Sequence, residues 1–150
     1  MQRTLILLKP DCVQRRLIGE IIQRFERKGL RLVGMKLVQA SRDLAERHYA
    51  VHKGKPFYDS LLKFILAGPT VAMVWEGREA VAVARTLMGP TDGIKASPAT
   101  IRGDFAISVQ NNLIHGSDSP ENATMEIALW FRPEELVDYQ LVDAPWVAGN

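Results

Sequence analysis

From Thr4 to Leu8 the chain runs apolar without interruption, and Lys9-Pro10-Asp11 stops it. Alternate residues of a strand point to opposite faces, so a strand that is apolar throughout needs cover on both sides. This segment is therefore expected in the interior of a layered domain. The chain has 150 residues, 47% hydrophobic and 24% charged, which suits one domain over 1–150 with a substantial core. The same run is too short for a signal peptide or a membrane span, so the expected home is the cytoplasm. A single cysteine, Cys12, excludes an internal disulfide and a Cys-rich metal site and agrees with a reducing compartment.

The pattern beyond Pro10 alternates between helix and strand. Leu17, Ile18, Ile21, Ile22 and Phe25 recur at helical spacing, with Lys28-Gly29 as a basic last turn and cap. Leu30 to Val38 reads as a second strand in which Gly34 marks a bulge. Asp43 with Glu46 reads as a capping box opening a short helix through Tyr49. Phe57, Leu61 and Phe64 stripe another helix, closed by Gly68-Pro69. Thr70 to Trp75 is a strand, Gly77 to Met88 a helix, and Gly89 to Gln110 a long loop of the kind that is usually functional or disordered. Met125 to Phe131 alternates and is expected to be the last strand. The order predicts an α+β, ferredoxin-like split β-α-β fold: a four-stranded antiparallel sheet with helices on one face, a helical insertion and a long loop before the last strand.

The chemistry begins with an absence. No GxxxxGK[ST] loop and no GxGxxG motif occurs, so bound phosphates would have to be held by side chains. Lys9, Arg85 and Arg102 lie at element ends or in the long loop, and are either convergent or simply solvated charges. The net charge of +2 is too small to argue for nucleic acid and suits an anionic small molecule. One of the three histidines, His115, sits in Asn112-Leu113-Ile114-His115-Gly116-Ser117-Asp118-Ser119, among small polar residues that leave its ring open. A neutral imidazole can attack phosphorus, and a carboxylate on its second nitrogen orients it. Glu126 is either that carboxylate or an exposed edge-strand residue. His48 and His52 read as surface residues with no third metal ligand nearby. Tyr49, Phe57 and Leu61 form a nucleobase shelf or part of the core, the latter favoured for Leu61. Trp75-Glu76, Trp130 and Trp146 read as packing.

Together these residues resemble the nucleoside diphosphate kinase family through nearly the whole chain. Asn112–Ser119 is similar to its active-site signature, and Thr4–Asp11, Gly68–Gly77, Thr100–Phe105 and Leu129–Glu135 are similar to other family segments. The resemblance implies that His115 takes the terminal phosphoryl group from one nucleotide and passes it to another, with Glu126 and Ser117 supporting it. It implies that Lys9, Tyr49, Arg85, Thr91, Arg102 and Asn112 contact phosphates and ribose, and that Phe57 and Val109 sandwich the base with Leu61 alongside. Stacking without edge recognition tolerates purines and pyrimidines alike. Mg²⁺ would ride on the nucleotide phosphates, with Asp118 reaching it through water, and a hexameric or tetrameric homo-oligomer is implied. The chain departs from the family at Gly93, commonly proline, at Ala99, commonly glycine, and at Gln110-Asn111, which replaces a glycine-containing pair. The first two fall in the loop that the family uses for subunit contacts, and glycine at 93 frees the backbone there.

Two other functions compete. A phosphohistidine relay to a protein acceptor would leave Tyr49, Phe57 and Val109 without a purpose. A non-catalytic binding module on such a sheet would need a basic stripe or exposed aromatics on the first strand, and the sequence has neither.

Overall fold

The computed structural model describes residues 1–149. The expected central strand is β1 (Gln2–Leu8), and its Leu5, Ile6, Leu7 and Leu8 are fully buried. It is flanked by β3 (Thr70–Gly77) along its whole length and by the short β4 (Ile114–Gly116), while β2 (Arg31–Val38) pairs with the far side of β3. The order β2-β3-β1-β4, antiparallel throughout, is that of the expected split β-α-β sheet.

Alternation along β1 divides the core in two. Ile6 and Leu8 pack with Met73 and Trp75 beneath α2 (Ile18–Lys28) and α5 (Ala80–Met88), which contribute Ile21, Phe25, Ala84 and Met88. Leu5 and Leu7 pack with Val33, Ala72 and Val74 under Trp130 and Phe131. Helices therefore cover both faces rather than one, because a strand apolar at every position leaves no face for water.

Several boundaries follow from local chemistry. Gly29 caps α2 in the left-handed conformation at φ 101°, as its position after Lys28 predicts. The register of β2 on β3 slips between Leu32 and Gly34, the expected bulge. Helix α3 (Arg42–His48) is capped by the Ser41 hydroxyl, which accepts from Leu44 N at 3.1 Å; the Asp43–Glu46 capping box does not form, and Glu46 pairs with Arg42 instead. Helix α4 (Tyr58–Leu66) ends just before Gly68-Pro69 as expected. Gly77 still belongs to β3, so α5 opens only at Ala80.

The main correction concerns the C-terminal third. Met125–Phe131 is not a strand: helix α7 runs from Pro120 to Trp130. Ser119 caps it by accepting from Asn122 N, Pro120 takes the first turn and Glu121 faces the positive end of the helix dipole. Ile127 and Trp130 pack against the sheet, and Ala123, at the same helical spacing, is buried, while Met125 is exposed. The last strand is instead β4, within the histidine segment itself.

The long loop before it holds a 3-10 turn (Gly93–Lys95) and α6 (Ile101–Phe105), capped by Thr100. Gly93 is buried against the Ala106 backbone with no room for a Cβ, so it is packed tightly rather than loose. Ala99 stands at φ 79°, a left-handed conformation that glycine adopts without cost. Two short helices, α1 (Pro10–Gln14) and α8 (Ala144–Val147), complete the chain, and Trp146 on α8 is exposed rather than packed. Trp75 is packed as expected, stacking on Phe25, and Glu76 binds Arg3 and Arg31. Among the described residues no helix is long and apolar enough to cross a membrane.

Candidate active site

His115 is placed by β1. It pairs with Leu7 across the β1–β4 ladder, and two residues on, the Ser117 backbone donates to Leu5 O while its hydroxyl accepts from Leu5 N. The chain enters β4 through an unusual bend. Leu113 has φ 75°, and Ile114 N donates back to Asn112 O at 2.9 Å. That is a γ-turn of the rarer, strained hand, costing on the order of 1–3 kcal/mol. Three contacts hold it: Leu113 N donates to Asp11 Oδ2, Lys9 N donates to Leu113 O, and Arg102 Nε donates to Asn112 O.

Helix α7 brings Glu126 to the ring. Its Oε1 lies 2.9 Å from His115 Nε2 and accepts from Ser117 Oγ at 2.8 Å. Burial opposes the charged carboxylate, but the hydrogen bonds from His115 and Ser117 outweigh it and hold Glu126 below the usual carboxylate range. With Nε2 donating to a carboxylate, the His115 lone pair falls on Nδ1, which makes no hydrogen bond to the described residues.

Three cations converge on the same cleft, a space of about 970 Å³. Lys9, at the end of β1, is buried; its Nζ donates to Asn112 Oδ1 at 2.5 Å and to Gln110 O, and Asn112 Nδ2 donates to Thr91 O. Burial pushes the Lys9 ammonium down to about 8, with Asp11 opposing and Arg102 adding to the shift. Arg102 in α6 is a buried strut, donating to the carbonyls of Gly89, Asn112 and Ile114. Burial and the neighbouring Arg85 bring its guanidinium down to about 10. Arg85 in α5 donates to Gly116 O at 3.2 Å. Convergence, not separate solvation, is what the fold achieves, and an anion entering here meets charges that already repel one another.

The cleft is further lined by Tyr49, Phe57, Leu61, Thr91, Val109 and Asp118. Phe57 and Val109 are half exposed, and Leu61 lines the cleft instead of joining the core. Burial, and then Glu126, push the Tyr49 hydroxyl up to about 12, so it is a neutral donor. The buried Ser117 hydroxyl donates to the same Glu126 oxygen that His115 contacts.

His48 was expected at the surface and instead belongs to the site. Its ring stands edge-on to His115 at 4.7 Å, and its Nδ1 accepts from Trp130 Nε1 at 3.1 Å. Burial and the nearby His115 push it down to about 3, so it is neutral. Trp130 thus does more than pack. His52 lines the same cleft, edge-on to Phe57. His48, His115 and Glu126 also each offer a ligand atom within 4.8 Å of the others, a grouping with metal-site spacing that the His48/His52 interval does not reveal.

The chain matches the family model described as nucleoside diphosphate kinase over residues 2–136. It is 59% identical over 147 residues to the nucleoside diphosphate kinase of Carboxydothermus hydrogenoformans, covering 98% of this chain and 99% of that protein. Among solved structures it is similar to a halophilic nucleoside diphosphate kinase from Halobacterium salinarum in complex with CDP, at 49% identity, TM-score 0.95 and 97% coverage of each chain. A nucleoside diphosphate kinase family protein from Babesia bovis matches at 46% identity and TM-score 0.95, over 98% of this chain and 99% of that one.

Proposed function

This chain belongs to the nucleoside diphosphate kinase family, and from that premise we propose how its own residues carry the reaction. It transfers the terminal phosphoryl group of a nucleoside triphosphate to a nucleoside diphosphate, by a ping-pong mechanism with broad base tolerance. His115 is the nucleophile on this reading. Its Nδ1 attacks the terminal phosphorus, the bridging P–O bond breaks, and the diphosphate leaves with that electron pair. The Nε2 proton stays on the ring, where Glu126 balances the positive charge and Ser117 steadies Glu126. The second nucleotide reverses the sequence and regenerates the free imidazole.

Lys9, Arg85 and Arg102 neutralise charge on the transferring group, whose loose transition state makes positioning and electrostatics the main sources of rate. Tyr49, Thr91 and Asn112 contact phosphate and ribose. Phe57 and Val109 hold the base between them with Leu61 alongside, by its π-face rather than its edge. Of the two cleft carboxylates, Glu126 is engaged by His115 and Ser117, whereas Asp118 is exposed and accepts from Asn122 at 2.6 Å. A donor set this sparse would suit Mg²⁺ carried by the nucleotide, which Asp118 would help to hold through water and which would offset phosphate charge. We also read the chain as a single domain over residues 1–150 that assembles into a closed homo-oligomer, a hexamer or tetramer, in the cytoplasm.

The observation that carries this reading is the His115 ring, with Nε2 on Glu126 at 2.9 Å and Nδ1 left for phosphorus. Intact mass spectrometry after brief incubation with ATP and Mg²⁺, then a chase with GDP or UDP, tests it. One acid-labile phosphoryl group should appear and be removed by either diphosphate. Sustained exchange with no adduct would overturn the assignment.

A further inference from the structure

His48, His115 and Glu126, whose ligand atoms lie within 4.8 Å of one another, have the composition of a zinc site. Two imidazoles and a carboxylate lining one cleft are a donor set that catalytic zinc takes readily. Yet a nucleophile coordinated to a metal has no lone pair to give.

The contact between Trp130 and His48 bears on this conflict. An indole N–H can only donate, so His48 Nδ1 is the acceptor and carries no proton. In a neutral imidazole the single ring proton then sits on Nε2. Both nitrogens are withheld from a metal: the Nδ1 lone pair is engaged by the indole, and Nε2 bears a proton in place of a lone pair. Coordination through Nε2 would move that proton to Nδ1, where it would meet the indole N–H head-on. Coordination through Nδ1 would strip the indole of its acceptor within the apolar cluster that Trp130 shares with Leu5, Leu7 and Val33.

We propose that Trp130 is a specificity-determining residue that fixes the tautomer of His48 and so keeps the His48–His115–Glu126 cluster from chelating a zinc-class cation. The consequence, that His115 stays free for phosphorus, rests on the function proposed above; the tautomer and the metal affinity do not. Trp130 acts through His48 and touches no substrate.

The test uses nucleotide-free protein titrated with Co²⁺, whose visible absorption reports tetrahedral histidine ligation. Wild type should give no such band, whereas Trp130→Phe should bind at least about tenfold tighter, the scale of outer-shell effects on metal sites. Adding His48→Asn to that variant should abolish the band. Equal binding by wild type, or none by a folded Trp130→Phe, overturns the proposal. If the variant does not fold, nitrogen-15 NMR of wild-type His48 decides: a proton on Nε2 supports the proposal and one on Nδ1 ends it. Neither readout involves a phosphoenzyme, so failure here is distinguishable from failure of the catalytic reading.

Discussion

His115 and Glu126 divide one imidazole between two tasks, and the division makes their replacements unequal. His115→Gln removes the attacking atom, so turnover should fall to background and the phosphoenzyme mass should vanish. Glu126→Gln keeps a hydrogen-bonding group but loses the charge that balances the ring, and should slow phosphorylation by about a hundredfold or more; single-turnover kinetics would show it. If Lys9 faces the phosphates as proposed, it sets a pH limit. Its ammonium titrates at about 8 in the free protein, so kcat/KM should fall as pH rises through that value and the charge facing the phosphates is lost. Stability moves the other way. The unfolded chain binds this proton more tightly, so the contribution of Lys9 to folding improves between about 8 and the ordinary 10.5. A kcat/KM profile flat across that interval would show that Lys9 does not carry the charge. That these residues line one cleft was legible because their types and their family pattern are local in sequence. His48 was not, since what fixes its role is Trp130, separated from it by 82 positions.

At the scale of elements, β1, α2 with its Gly29 cap, the bulged β2 and β3 were all readable, because each carries a full period or an end signal. The failure at Met125–Phe131 has a specific cause. Apolar residues at 125, 127, 129 and 131 mimic a strand, while the helical set Ala123, Ile127 and Trp130 starts before that segment and runs through it. Ser119-Pro120-Glu121 was the stronger clue, a cap and first turn in sequence. Ser119→Ala should therefore cost about 1 kcal/mol in denaturant unfolding. β4, only three residues long, could show no period at all. The loop before it holds a correctable defect: Ala99 at φ 79°, tied by Asp104 Oδ1 to its amide and by Arg24 to its carbonyl. Ala99→Gly should raise stability by about 1 kcal/mol. A lower melting temperature would mean that this conformation carries no strain.

At the scale of the whole molecule, one end strand of the sheet is only partly covered: Val137 N and the Tyr139 hydroxyl donate to the Val33 and Leu32 carbonyls of β2. β2 lies at the end of the strand order, and Met35 and Leu37 on it are more than half exposed, an apolar edge of the kind that pairs with another chain. If the chain assembles as proposed, Leu37→Lys should lower the mass measured by light scattering; an oligomeric mass left unchanged would mean that this edge is not a subunit contact. The catalytic cleft has the opposite character, being closed from within by distant parts of one chain. Lys9 reaches Asn112 across 103 positions, and the Asp11 carboxylate reaches the Leu113 turn across 102. Such contacts carry the largest loop-closure cost and slow the approach to the native state. Activity is thus a clock for folding: during refolding from denaturant, helical signal should return first, and phosphotransfer should reappear only when β4 docks beside β1.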